Sequence, residues 1–204
     1  MNTPEQFQSS ASGPPSPDYP VRFEVDYPEE LNRWLPLVKW LLLIPHYFAL
    51  FFVILAAFFV GVFAFFAVLF TGRWPRGAFD FIVGAVRWCY RVVTYFHLMT
   101  DRYPPFSLEH DPDYPARLEV DYPERFDRWR PLVQWLLAIP YLIVASVLYY
   151  LTGIITFVAF FTVLFTKKIP RGMFELMLPG MRWNLRGNAY AYFVVDRYPP
   201  WVWG

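Results

Sequence analysis

Two long stretches of the chain carry no charged side chain. The first runs from His46 to Thr71, with His46 as a titratable group, and the second runs from Tyr141 to Thr166. At about 1.5 Å per residue, a helix of 26 residues is about 39 Å long, which exceeds the roughly 30 Å hydrocarbon layer of a bilayer. A soluble domain would show its apolar residues as narrower periodic stripes. The pattern therefore predicts a long membrane-crossing helix in each half of the chain.

Two shorter segments alternate strictly between apolar and polar residues, 21–27 (VRFEVDY) and 116–122 (ARLEVDY). Period two followed by a proline is typical of a half-buried strand. Two further β-prone pieces, 95–101 and 190–196, come directly before Tyr-Pro-Pro. Because a lone two-stranded ribbon is only marginally stable, we expect all four pieces to share one small sheet on one side of the bilayer.

The chain is an internal repeat. Residues 19–105 align with 114–200 at a constant offset of 95 without a gap, and 39 of the 87 pairs are identical. No pair matches between positions 46 and 63, because a surface that faces lipid needs only to be apolar. We predict a first repeat at 19–105 and a second at 114–204. Residues 1–18 are rich in Ser, Pro and Gln, which predicts a disordered tail.

Four motifs recur in both repeats: EVDYP, W-x-P-L-V-x-W, PRG and DRYPP. In combination they resemble the bacterial membrane family known as domain of unknown function 4389. The resemblance implies a multi-pass protein of the bacterial inner membrane with two tandem copies of the domain. It supplies no activity, substrate or catalytic residue.

A second helix is expected in each repeat, and it is polar along one stripe. Residues 78–98 carry Asp80, Gly84, Arg87, Arg91, Thr94 and Leu98 at spacings of three and four, which place them on one helical face. Glu175, Arg182 and Arg186 hold the corresponding places in the second repeat. We expect this helix to be the return crossing, after a lead-in at 35–44 that Pro45 ends or kinks. The alternative folds 35–70 into a hairpin and lays the striped helix flat on the membrane.

The fold class expected is thus a mainly α membrane protein of two parallel units with a small β cap, built from the start and end of each repeat. Two loops contain bases and no acid: Arg73, Arg76, Lys167, Lys168 and Arg171. Short basic loops stay in the cytoplasm, which predicts cytoplasmic loops with both termini and the cap outside.

The striped helices supply the sharpest candidate site. A buried arginine must face protein, a water pocket or a headgroup, because its charge is costly in hydrocarbon. One interpretation is a binding site for a lipid phosphate or another anion; the other is helix pairing, with Asp80 bonded to Arg87 and Glu175 to Arg182. The candidate residues are Asp80, Arg87, Arg91, Glu175, Arg182 and Arg186.

A second set of charged residues lies in the expected cap. Each acid has an arginine close in sequence, such as Arg22 beside Glu24 and Arg102 beside Asp101, so salt-bridged strand faces are favoured over a calcium site. The residues assigned to the structural cap are Glu24, Asp26, Asp101, Arg102, Glu119, Asp121, Asp196 and Arg197.

Catalytic chemistry finds no support in the sequence. The three histidines have no metal-ligand spacing, and the chain contains no Gly-rich phosphate loop, nucleophile elbow or polybasic run. We therefore expect no enzyme activity, no cofactor, no metal and no nucleic-acid partner. The function expected is a scaffold or accessory subunit that contacts membrane lipid and other subunits or copies of itself. The alternative is a binder or carrier of lipid that uses the arginine stripe.

Overall fold

A computed structural model describes residues 19–203, so the tail expected at 1–18 lies outside the described residues. The described residues form two short strands and five helices. In order they are β1 (Val21–Val25), α1 (Leu35–Leu42), α2 (Ile44–Thr71), α3 (Arg76–Phe96), β2 (Ala116–Val120), α4 (Arg130–Thr166) and α5 (Arg171–Ala191).

The long apolar stretches are helical, as predicted. In the first repeat Leu43 separates α1 from α2, and Pro45 is the second residue of α2, which confirms the expected break. The second repeat keeps one helix of 37 residues, α4, with Pro140 inside it. Two regions, Leu35–Thr71 and Arg130–Thr166, are long and apolar enough to cross a membrane by length and composition.

The sheet is smaller than expected, because it has two strands and not four. β1 pairs antiparallel with β2, with Phe23 opposite Leu118. The β-prone pieces 95–101 and 190–196 are not strands: α3 and α5 continue to Phe96 and Ala191 and are followed by turns. Tyr95 and Tyr190 are buried on the packed faces of these helices, and that packing overrides their local strand propensity.

The two repeats are antiparallel, so the prediction of parallel units was wrong. Near the end of β1, the Tyr27 hydroxyl donates to the carbonyl of Ile169, just before α5 begins. Near the start of β1, the Tyr19 hydroxyl donates to the carbonyl of Arg197, beyond the end of α5. β1 therefore runs antiparallel to α5.

The same relation holds for β2 and α3. The Tyr122 hydroxyl donates to the carbonyl of Trp74 at the start of α3, and the Tyr114 hydroxyl donates to the carbonyl of Arg102 beyond its end. Because β1 and β2 are themselves antiparallel, the α2–α3 and α4–α5 hairpins point in opposite directions. The two basic loops, 72–75 and 167–170, consequently lie at opposite ends of the molecule.

The elements form three layers around a pseudo-two-fold axis normal to the sheet. The strands contact α3 and α5 and neither α2 nor α4. On α5, Arg182 faces β1, whereas Gly180 and Gly187 face α4. The order is sheet, then α3 and α5, then α2 and α4, so the charged outer face of the sheet and the long apolar helices lie on opposite sides of the molecule.

Candidate functional site

The arginine stripes contact the strand of the other repeat. Arg182, on α5, is 7% exposed and donates from Nε to the carbonyl oxygen of Phe23 at 2.8 Å. Arg87, on α3, donates from Nε to the carbonyl oxygen of Leu118 at 3.0 Å. Phe23 and Leu118 are equivalent positions of the two repeats, and so are the two arginines. The guanidinium groups therefore cross-link the repeats in a symmetric exchange.

The second arginine of each stripe lies near the start of the same strand. The Arg91 guanidinium lies 5.7 Å from the ring centre of Tyr114, and Arg186 lies 5.7 Å from that of Tyr19. Arg91 also donates to the carbonyl oxygens of Ser107 and Glu109 in the segment between the repeats. Protein groups therefore orient these arginines.

The acidic residues of the stripes do not pair as expected. Asp80 and Glu175 are exposed, and within residues 19–203 neither forms an ion pair. The predicted pairs of Asp80 with Arg87 and of Glu175 with Arg182 are therefore wrong. The arginines turn toward the sheet, where strand carbonyls offer partners that sequence spacing along one helix does not reveal. Gly84 is closely packed, because an added Cβ would lie 2.8 Å from the carbonyl oxygen of Leu108.

Tyrosines and backbone groups extend the exchange to both ends of the strands. Besides the bond of Tyr27 to Ile169, at 2.6 Å, and of Tyr122 to Trp74, at 2.5 Å, two main-chain bonds join the repeats. The amide of Leu31 donates to the carbonyl of Lys167 at 2.8 Å, and the amide of Phe126 donates to that of Gly72 at 2.9 Å. The region after each strand is thereby fixed to the basic loop of the other repeat.

The outer face of the sheet is a network of ion pairs, as expected, but the pairs run between strands. Arg22 bonds Asp121 at 2.6 Å and Glu119 at 3.3 Å. Arg117 bonds Asp26 at 2.7 Å and lies 3.9 Å from Glu24. The hydrogen bond to Asp121 raises the pKa of Arg22, and the bond to Asp26 raises that of Arg117. The expected pairing of Arg22 with Glu24 is replaced by these cross-strand contacts.

The remaining cap residues bond to parts of the chain other than those expected. Asp101 forms an ion pair with the buried Lys39 at 2.9 Å, so it does not pair with Arg102. Arg102 donates instead to the carbonyl of Asp113. In the second repeat the carbonyl of Asp196 accepts from Arg130, and the carbonyl of Arg197 accepts from Tyr19.

The described part of the chain offers no metal centre, since residues 19–203 contain no group of three or more His, Cys, Asp or Glu side chains that could hold an ion. A surface cavity of about 430 Å³ lies between residues 30–34 and Lys167, away from the arginine stripes. The geometry of the stripes therefore supports cross-linking of the repeats, and their hydrogen bonds go to backbone carbonyls.

A family comparison agrees with this division into repeats. The family model of a domain of unknown function, DUF4389, matches residues 34–107 and 128–202. The chain belongs to this family. It carries two tandem copies of the domain, as the motifs indicated. The chain matches no curated protein and no solved structure.

The two matched regions of DUF4389 leave out both strands, which lie at 21–25 and 116–120. The exchange of strands between copies was missed in the sequence because it is a non-local contact. One signal pointed toward it: the side-chain donors of the exchange, Tyr27 and Arg87, are identical to their counterparts Tyr122 and Arg182 in the second repeat.

Proposed function

We propose that this protein is a non-catalytic membrane protein that acts as a scaffold or accessory subunit. The observation that carries the proposal is the exposure of the long apolar helices. In the most apolar 18-residue part of each region, only 11% is buried within the molecule for Leu35–Thr71 and 17% for Arg130–Thr166. Soluble monomers rarely expose contiguous apolar patches larger than a few hundred Å². Lipid is the solvent that suits such a surface.

The arginine contacts favour a scaffold over a lipid carrier. A carrier needs a cavity with donors directed into it, but Arg87 and Arg182 donate to carbonyls of the sheet. Their charge-assisted hydrogen bonds hold the two repeats in one arrangement. What the fold presents outward is a rigid pair of apolar helices, α2 and α4, which suits contact with lipid and with other membrane-embedded helices.

The experiment has two stages, of which the first concerns the membrane. Membranes from cells that express the protein are washed with alkaline carbonate and then extracted with detergent. We expect the protein to resist carbonate and to dissolve in detergent. Release by carbonate alone would contradict membrane residence.

The second stage concerns the scaffold role. A photo-crosslinking amino acid replaces Phe59 on α2 or Phe157 on α4, with Glu24 on the outer sheet face as the matched control site. Both phenylalanines are exposed. We expect discrete protein adducts from α2 or α4, either with another subunit or with a second copy. Adducts with lipid alone at both sites would contradict the scaffold role and leave membrane residence standing.

A further inference from the structure

We infer that the molecule lies flat in one leaflet of a phospholipid bilayer, with α2 and α4 parallel to the membrane plane and the sheet in water. This inference rests on the proposed membrane residence and concerns how the protein sits there. In this arrangement the pseudo-two-fold axis coincides with the bilayer normal. The layer of α2 and α4 lies in hydrocarbon, and the layer of α3 and α5 lies near the headgroups.

The position of the charged sheet is the first argument. Arg182 and Arg87 lie near the middle of α5 and α3, and they bond to Phe23 and Leu118 in the middle of the strands. If the helices crossed the bilayer, the outer face of the sheet would lie at mid-depth. Each charged side chain at that depth costs at least ~2.5 kcal/mol on insertion scales. The face carries two arginines and four acids: Arg22, Arg117, Glu24, Asp26, Glu119 and Asp121.

The charge of the two loops is the second argument. The loops lie at opposite ends of antiparallel hairpins, so a crossing orientation would put one on each side of the membrane. Inverted repeats in that orientation should show opposite charge bias, because basic residues mark the cytoplasmic side. Here both ends are basic. One has Arg73 in the loop and Arg76 at the start of α3; the other has Lys167 and Lys168 in the loop and Arg171 at the start of α5. A flat orientation puts both loops on the same side.

The ends of the molecule carry matching interfacial groups, which is the third argument. The bond between Leu31 and Lys167 brings Trp34, directly before α1, and Trp40, within α1, toward one basic loop. The bond between Phe126 and Gly72 brings Trp129 and Trp135 toward the other basic loop. All four tryptophans are exposed. Exposed tryptophan beside arginine or lysine is the usual composition of a bilayer interface, where bases meet headgroup phosphates.

The flat orientation differs from both layouts considered for the sequence. The long stretch 44–71 is one helix, so the hairpin alternative at 35–70 is wrong. The helices expected to cross instead lie in the plane. Both loops, the sheet and the described ends of the chain then face the same compartment.

The first test is depth. Bimane is attached to single cysteines that replace Phe48, Phe59 or Phe70 along α2, in a Cys89→Ser background, and depth-dependent quenching is measured in vesicles of phosphatidylethanolamine and phosphatidylglycerol. These positions are exposed and span 22 residues of α2, about 33 Å. We expect the three depths to agree within a few ångströms. A deep probe at 59 with shallow probes at 48 and 70 near opposite surfaces would overturn the inference. This outcome can be recognised whichever leaflet the protein enters.

The second test is sidedness. Gly77→Cys and Gly172→Cys are equivalent sites where an added Cβ meets nothing within 4 Å. Impermeant maleimide is applied to intact cells and to inverted membrane vesicles. We expect both cysteines, and Glu24→Cys on the sheet, to react in the same preparation. Reaction of Gly77→Cys and Gly172→Cys in opposite preparations would overturn the flat orientation while the protein still resists carbonate.

Discussion

The contacts between the two repeats are the same in both directions, whereas the packing within each helix hairpin differs between the repeats. The exchange contacts repeat residue for residue: Arg87 with Arg182, Tyr27 with Tyr122. Within the hairpins the match fails at positions where the two helices of a repeat contact each other. α5 lies against α4 at Gly180 and Gly187, whereas the first repeat has Ala85 and Val92 at the equivalent positions.

The difference indicates where geometry is constrained. A strand carbonyl accepts a guanidinium only from a limited range of directions and distances. The carbonyl is a backbone group that any residue supplies, so the arginine is the side chain that must be kept in both copies. Two apolar helices can instead pack closely through small residues or more loosely through larger ones, provided that the volume is filled. The helices of the second hairpin, α4 and α5, pack closely, and those of the first, α2 and α3, pack more loosely.

The largest expected effect comes from breaking the close hairpin with Gly180→Ala. An added Cβ would lie 2.2 Å from Thr152 Oγ1 and 2.7 Å from the carbonyl oxygen of Leu148. The carbonyl belongs to the α4 backbone and cannot turn away, so the helices must separate. We expect the free energy of unfolding to fall by about 3 kcal/mol, the upper end of the usual cost of overpacking. Unfolding in detergent by SDS titration, followed by circular dichroism, measures it.

Two variants serve as controls for this prediction. Gly172→Ala adds the same methyl group to α5 in open space, and Ala85→Gly removes it from the equivalent place on α3. We expect Gly172→Ala to change the free energy of unfolding by no more than about 1 kcal/mol, the difference in helix propensity between Ala and Gly. Ala85→Gly should cost about 2 kcal/mol at most, because Ala85 is buried and the burial of its methyl group is lost as well. Equal losses for Gly180→Ala and Gly172→Ala would show that propensity, and not the α4–α5 contact, sets the effect.

A smaller effect is expected from the arginine exchange, and it should be unequal in the two copies. Arg182→Met leaves the carbonyl of Phe23 buried without this donor, and Arg87→Met does the same to Leu118 at a half-buried site that water can reach. We expect losses of about 2 kcal/mol for Arg182→Met and about 1 kcal/mol for Arg87→Met. The same SDS titration measures both.

The desolvation of a buried guanidinium opposes this loss, since replacing a buried charge with a well-packed apolar residue sometimes stabilises a protein. A gain in stability for Arg182→Met would mean that the charge costs more than its hydrogen bond contributes. The exchange would then serve to specify the pairing of the repeats and not to stabilise it. Retained cross-repeat disulfide formation between cysteines at Val25 and Ala116, which are paired across the sheet, would check that the strands still meet.

Local pattern predicted a strand within 21–27 and within 116–122, where β1 and β2 form, as well as the long helices and the break near Pro45, because each depends on residues near in sequence. The failures concern contacts between residues that are far apart in sequence. Pairing Asp80 with Arg87 assumed a partner on the same helix, but the partner is a carbonyl of β2. The extension of α3 through Tyr95 depends on burial by other elements, which strand propensity does not report.

The smallest effect tests whether the ends of the exchange are equivalent. Tyr27→Phe and Tyr122→Phe each remove one hydroxyl that donates to a carbonyl of the other repeat. We expect each to lower the free energy of unfolding by about 1 kcal/mol, the net worth of a single hydrogen bond. The two sites lie near opposite ends of the sheet, so the double variant should lose the sum within about 0.5 kcal/mol, as independent sites do. A double variant that loses much less than the sum would mean that one end opens when the other is weakened. In that case the contacts between the repeats would form a single cooperative unit, and the Tyr27 and Tyr122 hydrogen bonds would not be independent of each other despite their symmetry.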